Sequence, residues 1–347
     1  MEILIFSFLI FSLLASLLAF DSKDIFGLLS IFAIFTFIFV YLWEVDITTV
    51  AQDLPSYYLW YQEVDLRIIQ DGNDRLFSLL LSILPDHLDI KTFSFYLISM
   101  LLIPLFILLL RIKSTYRLNW EYLSLIALII LADRLFFDLA LNTSRSSIAI
   151  IFLCIALTSN NILFKIFMAA IAFGIHMYAT IFIVFIYFIY YLFRPSQKFL
   201  YLLGTISISI FIAKFIFDFS FLNESIQILN APERLSRGVD VTNFELTNSL
   251  FIQIFLAIIA PFIFNILNFY NKLDFRSSSK TQVNSELMEL NSIGIVFCSF
   301  VMLFFPELIL SLRFAIIPII LLLPLIHINF LRILAITKSM IMILLLI

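Results

Sequence analysis

Phe93-Ser94-Phe95-Tyr96-Leu97-Ile98-Ser99-Met100-Leu101-Leu102-Ile103-Pro104-Leu105-Phe106-Ile107-Leu108-Leu109-Leu110 carries no charged residue, and Arg111, Lys113 and Arg117 follow it at once. A helix rises about 1.5 Å per residue, so about 20 residues cross a hydrocarbon layer about 30 Å thick. The stretch therefore predicts a membrane-spanning helix over 93–112. It is not alone: the 347-residue chain is 63% hydrophobic and only 13% charged, a balance foreign to soluble domains. Apolar runs predict further helices over 1–20, 25–43, 118–132, 146–158, 162–175, 177–193, 199–217, 249–270, 291–305 and 308–326. A last candidate, 328–347, is interrupted by Arg332 and Lys338 and could lie flat at the interface. The expected fold class is all-α, a polytopic integral membrane protein of about 11–12 transmembrane helices forming a single transmembrane domain over 1–347. The segments within 146–193 are short, and would be tilted or re-entrant.

Composition excludes several classes. Period-two alternation is absent, which argues against a β-barrel. Six glycines and no phosphate-binding loop argue against a nucleotide-binding domain. Cys154 and Cys298 both sit inside apolar runs and read as small core residues, not as a disulfide or metal ligands. Residues 1–20 lack a basic leader and a small-residue cleavage site, so Met1–Phe20 reads as a retained helix. Nothing points to nucleic acid.

Lysine and arginine in short loops set the orientation. Placing Arg111, Lys113 and Arg117, then Lys165, then Arg194 and Lys198, then Lys272, Arg276 and Lys280 in the cytoplasm puts 44–92, 133–145, 218–248 and Pro306-Glu307 outside. The inner side then holds 12 of the 21 basic and 6 of the 24 acidic groups. Position 327 onward falls inside.

This topology gathers titratable groups on the outer half. Ionisable side chains at membrane depth are expensive and by default mark a site. Arg134 and Arg145 flank the third outer loop, His176 lies at a helix turn, and Arg313 sits in an apolar helix past Pro306. Plainer roles exist: Arg134 could pair with Asp133 or Asp138, Arg145 could snorkel to headgroups, and His176 could bond a carbonyl at a helix end. Several outward arginines suit a phosphate or pyrophosphate, because the guanidinium forks onto phosphate oxygens and stays charged. In the early loop, Tyr57, Trp60 and Tyr61 would share one helical face and could stack on a sugar; an interfacial aromatic belt is the bland alternative. His87 reads as surface.

Asn142-x-x-Arg145-x-x-Ile148-Ala149, followed about thirty residues later by His176-x-x-Ala179, resembles the central signature of the EpsG-type and Wzy-type polysaccharide polymerases. Asp53-Leu54-Pro55-Ser56-Tyr57-Tyr58 through Asp74-Arg75-Leu76-Phe77 is similar to that family's N-terminal acidic-aromatic segment, and Ser311-Leu312-Arg313-Phe314 to its arginine helix. The chain departs from many relatives at Ser146, where they carry Gln. The resemblance implies a multi-pass enzyme of the bacterial inner membrane, a glycosyltransferase-type polymerase joining undecaprenyl-pyrophosphate-linked repeat units on the outer face into O-antigen, capsule or exopolysaccharide. It implies no cofactor and no metal; its partners would be the lipid-linked glycan donor and acceptor, membrane lipids, a chain-length regulator and a flippase. Arg145, Arg313, Arg134 and Asn142 would hold donor, and His176, Asp53 or Asp74 would take the acceptor proton. The competing expectations are a lipid-linked oligosaccharide flippase or other transporter, and an O-antigen ligase. A transporter should spread charge through the membrane's depth and show paired helix breaks; a ligase should carry its large outer loop late in the chain.

Reporter fusions after Thr115 and Phe275 are expected to report cytoplasm, and fusions after Gln70 and Leu235 the outside. The reverse pattern at two of the four sites would overturn this topology.

Overall fold

A computed structural model describes residues 53–63, 74–131, 144–159, 161–177, 202–209 and 320–346, with scattered positions elsewhere. The described residues are mostly helical and contain no strand. Seven α-helices can be followed: α1 (Leu54–Gln62), α2 (Arg75–Ser82), α3 (Ile90–Tyr116), α4 (Trp120–Leu131), α5 (Ser144–Leu157), α6 (Ile162–Ile175) and α7 (Ile328–Leu346). One of them, α3, is long and apolar enough to cross a membrane; α4, α5 and α6 are shorter apolar helices. The chain divides into two compact units, Met1–Val184 with Ile326–Ile347, and Phe185–Leu325. The expected helices at 1–20, 291–305 and 308–326 and the loop 218–248 lie wholly or largely outside the described residues, as does Cys298.

Local chemistry explains where the helices begin. Asp89 precedes α3 in extended backbone, and its carboxylate accepts a bond from the Thr92 N–H at 2.6 Å. The helix thus starts at Ile90, ahead of the apolar window, because a polar first turn is held by its cap. Asn119 does the same for α4, accepting from Tyr122 N–H, and Asn161 for α6, accepting from Leu163 and Phe164. Helix α3 ends at Arg117, whose left-handed backbone (φ 48°) lets the Leu118 N–H reach back to the Lys113 carbonyl.

In the first unit, α5 is buried nearly all round and packs between α3 and α6. A helix apolar on every side belongs in a core, and Cys154 lies within it, fully buried. The Thr115 hydroxyl donates to the Thr158 carbonyl, and the Arg111 guanidinium lies 4.9 Å from the Phe164 ring centroid. The last turn of α3, the end of α5 and the start of α6 therefore meet at one end of this bundle. At fourteen residues each, α5 and α6 span only about 21 Å.

Helix α7 does not lie apart. It runs beside α4 in the same direction: Arg332 Nη2 meets Glu121 Oε1 at 2.5 Å, and six residues on Lys338 Nζ donates to the Ile129 carbonyl at 3.4 Å. The two charges that interrupt the apolar run are each partnered, which lets the helix pack along α4. Tyr122 donates its hydroxyl to the Ile326 carbonyl at the same junction. In the second unit, Gly204 lies so close to Phe262 that a Cβ there would come within 2.3 Å of the ring.

The early segment expected as a loop forms α1 and α2, tied to α3 by aromatic side chains. Tyr61 stacks on Phe93 at 5.2 Å and donates its hydroxyl to the Pro85 carbonyl, while Tyr58 donates to the Leu88 carbonyl at 2.7 Å. These phenols hold the turn at which exposed His87 takes a left-handed backbone, φ 61°.

The Thr92 bonds hold the Asp89 carboxyl below its usual range. Its folded pKa is depressed, so its contribution is present above the unfolded value of about 3.9 and is lost as pH falls through the folded one. Asp89→Ala is expected to lower the thermal midpoint at pH 7, with the difference from the parent shrinking below about pH 4. Asn161→Ala should lower it without that pH dependence. A constant Asp89→Ala difference down to pH 2.5 would show that the carboxylate is not the cap.

Candidate functional site

At the bundle end opposite the Thr115–Thr158 contact, three segments distant in sequence meet on one carboxylate. Asp74 stands at the N-cap of α2, yet its side chain makes no capping bond. It turns instead to two basic partners. Oδ2 lies 2.5 Å from Arg145 Nη1, and Oδ1 lies 3.3 Å from His176 Nδ1. The partners are 71 and 102 residues away. All three side chains are largely covered, with 12% of Asp74 and His176 and 25% of Arg145 exposed, so the carboxylate attracts the guanidinium more strongly than water would allow.

Each group is placed by its own element. Arg145 is the second residue of α5, where the helix dipole disfavours a cation; Asp74 answers that charge. The guanidinium also lies 4.5 Å from the Trp60 ring centroid and 5.9 Å from that of Tyr57, contacts worth about 0.5–2 kcal/mol each depending on solvation. The indole is held in turn: Trp60 Nε1 donates to Ser78 Oγ at 3.1 Å, and the Phe77 ring meets both Trp60 (5.6 Å) and Tyr57 (5.8 Å) edge-on. His176 caps α6. Its N–H bonds the Ala172 carbonyl, and its own carbonyl accepts from the Thr180 N–H and hydroxyl.

Because an ionised carboxylate can only accept, the contact at Nδ1 is a bond when the ring carries hydrogen there. Nε2 is then the neutral ring's proton acceptor, the arrangement in which a carboxylate orients a histidine base. The remaining guanidinium edge is also informative. Arg145 Nε is buried with no hydrogen-bond partner, and the bond to Asp74 is made at Nη1.

The structure thus brings together Asp74, Arg145, His176, Tyr57 and Trp60 from the residues singled out by sequence. Tyr61 belongs elsewhere: its ring and hydroxyl serve the turn at 85–88. The face shared by Tyr57, Trp60 and Tyr61 is turned inward, each residue under 9% exposed, so it is no open stacking platform. Its rings cover a guanidinium and pack against neighbours. Asp53 precedes α1, and its carbonyl accepts from the Tyr57 N–H. Arg134, Asn142 and Arg313 lie outside the described residues. Among the described residues no group of three His, Cys, Asp or Glu side chains is arranged around a common metal position.

Two residues essential to the geometry escaped sequence reasoning. Ser78 holds the indole, and a serine at that spacing gives no signal. Gly174 did leave one: it is among only six glycines and lies two residues before His176. A Cβ on Gly174 would come 3.0 Å from Leu76 Cβ. The missing side chain lets α2 press onto α6, and that approach brings Asp74 to His176.

No protein-family model, curated protein or solved structure matches the chain.

Gly174→Val should push α2 off α6 and separate Asp74 from His176, costing about 1–3 kcal/mol in stability through overpacking, whereas Gly174→Ala should be much milder. Thermal unfolding of the two variants measures both. Parental stability of Gly174→Val would remove the close approach as the cause of the geometry.

Proposed function

We propose that the chain is a polytopic membrane glycosyltransferase that joins sugar units carried on a lipid pyrophosphate, acting on the outer face of the membrane. The observation that carries the reading is the meeting of Arg145, Asp74 and His176 on one site, where the Arg145 Nε is buried without a hydrogen-bond partner. The membrane part rests on the recurrent apolar runs and on the separation of basic from acidic loops.

The chemistry follows from these groups. The acceptor hydroxyl oxygen attacks the anomeric carbon as the carbon–oxygen bond to the diphosphate breaks. The hydroxyl proton passes to His176 Nε2, while Asp74 orients the ring and balances the imidazolium. The diphosphate leaves with the bonding pair, and Arg145 meets that charge. In the free protein Asp74 occupies part of the guanidinium. An arriving diphosphate competes for it and leaves Asp74 to His176 alone, so donor binding strengthens the carboxylate's hold on the base. Asp74 is by this reading a positioning residue rather than the proton acceptor.

A transporter is the second reading, and one observation favours it. Glu121, Arg332 and Lys338 form another largely buried charged cluster between α4 and α7, so ionisable groups are not confined to the neighbourhood of Asp74. Purified protein in sealed vesicles separates the two: a transferase lengthens glycan chains with donor and acceptor on one side, and a transporter moves lipid-linked glycan without forming a glycosidic bond.

Arg145→Lys and Arg145→Ala should both abolish long polymer, since an ammonium lacks the bidentate fork. His176→Gln should lower turnover about 10²–10⁴-fold with donor capture kept. Asp74→Asn should split the constants, with turnover falling and KM for donor falling as well, because the internal competitor is gone. Full polymer in Arg145→Ala would remove the arginine from the site, and a parental rate in His176→Gln would reduce the histidine to a helix end.

A further inference from the structure

Away from the Asp74 site, the end of the bundle formed by α3, α5 and α6 carries four basic residues. Arg111, Lys113 and Arg117 lie in or just past the last turn of α3, and Lys165 in the first turn of α6. Among the described residues none of the four has an ion-pair partner. Arg111 rests on Phe164 at 4.9 Å and Lys113 on Trp120 at 4.5 Å, and Arg111 Nε is buried without a hydrogen-bond partner. The nearby carboxylate, Glu121, is taken by Arg332 at 2.5 Å. Ring faces satisfy a cation only in part. The arrangement is short of an anion.

The surface beside these cations is strongly apolar. Ile162, Leu163, Ile166 and Phe167 are 66%, 74%, 60% and 59% exposed, and Phe173 continues the strip along α6 at 45%. Helix α6 buries far less of itself than α5 does. A ligand that matches both features has a phosphate at one end and long hydrocarbon at the other.

We infer that the basic end of α3 and α6 is a binding site for an anionic phospholipid, its phosphate held by Arg111 and Lys165 and its acyl chains laid along the Ile162–Phe173 strip. The guanidinium supplies a planar fork for phosphate oxygens, and Lys165 a point charge beside it. Lys113 and Arg117 widen the positive field around the headgroup. A soluble anion would use the cations but leave the strip bare; an uncharged lipid would cover the strip but leave the cations unanswered. The inference rests on the membrane reading of the chain and is independent of the transferase chemistry.

The test is native mass spectrometry of the full chain released from detergent with dioleoyl phosphatidylglycerol or dioleoyl phosphatidylcholine, alongside insertion into phosphatidylcholine vesicles. Phosphatidylglycerol adducts should be preferred. The preference should fall about fivefold for each of Arg111→Gln and Lys165→Gln, as one cation near a charged headgroup contributes. Arg111→Lys should retain most of it, and Arg75→Gln, which removes a cation at the start of α2, should leave it unchanged. Equal retention of the two lipids would overturn the site, as would a preference that survives the Arg111→Gln/Lys165→Gln pair. Displacement of phosphatidylglycerol by equimolar inorganic phosphate would also overturn it, by showing that hydrocarbon plays no part. Failure to insert into any vesicle would instead strike the membrane reading, whereas insertion without lipid preference would strike this inference alone.

Discussion

One carboxylate with two basic partners organises the first unit. Asp74 answers an arginine that the dipole of α5 disfavours and a histidine that closes α6, and neither demand could be met from within its own helix. Removing one partner of a buried pair leaves the other charge uncompensated, which costs about 3–5 kcal/mol where burial is complete and less at the partial exposure seen here. The surrounding arrangement serves that contact. Gly174 admits α2, the indole and phenol of α1 cover the guanidinium, and Phe77 and Ser78 hold the indole.

The two charged clusters of this unit contrast. Around Asp74 one carboxylate serves an arginine and a histidine, and the buried Arg145 Nε has no hydrogen-bond partner. Between α4 and α7, Glu121 and Arg332 pair directly and Lys338 reaches a backbone carbonyl, which lets a helix interrupted by two charges pack along its neighbour. A guanidinium with a donor still unpartnered suits an anionic ligand, whereas closed pairing suits helix packing.

What the sequence made legible was whatever depended on neighbours along the chain. Apolar length located α3, α4, α5 and α6 to within a few residues; α6 agreed at both ends, and α3 began earlier than its apolar window because Asp89 holds a polar first turn. The residue types at the site were readable too, since Arg145 and His176 are costly where they stand. Their partner was not. Asp74 was one of several acidic groups in an early segment read as loop, and only the tertiary approach through Gly174 distinguishes it from Asp53. The aromatic face was right as a helical face and wrong in its direction, because periodicity tells which residues align and not whether they turn outward.

The ring faces beside Arg145 have a consequence for the timing of order. A long arginine that is free to rotate gives up about 1.5–2 kcal/mol of rotamer entropy when it is immobilised. Here indole, phenol and carboxylate immobilise it as the chain folds, so an incoming anion meets a guanidinium already oriented and little of that entropy is lost on binding. The same arrangement makes affinity a report on assembly. The rings come from α1 and the guanidinium from α5, so loosening the rings returns rotational freedom to Arg145 and weakens its grip on an anion.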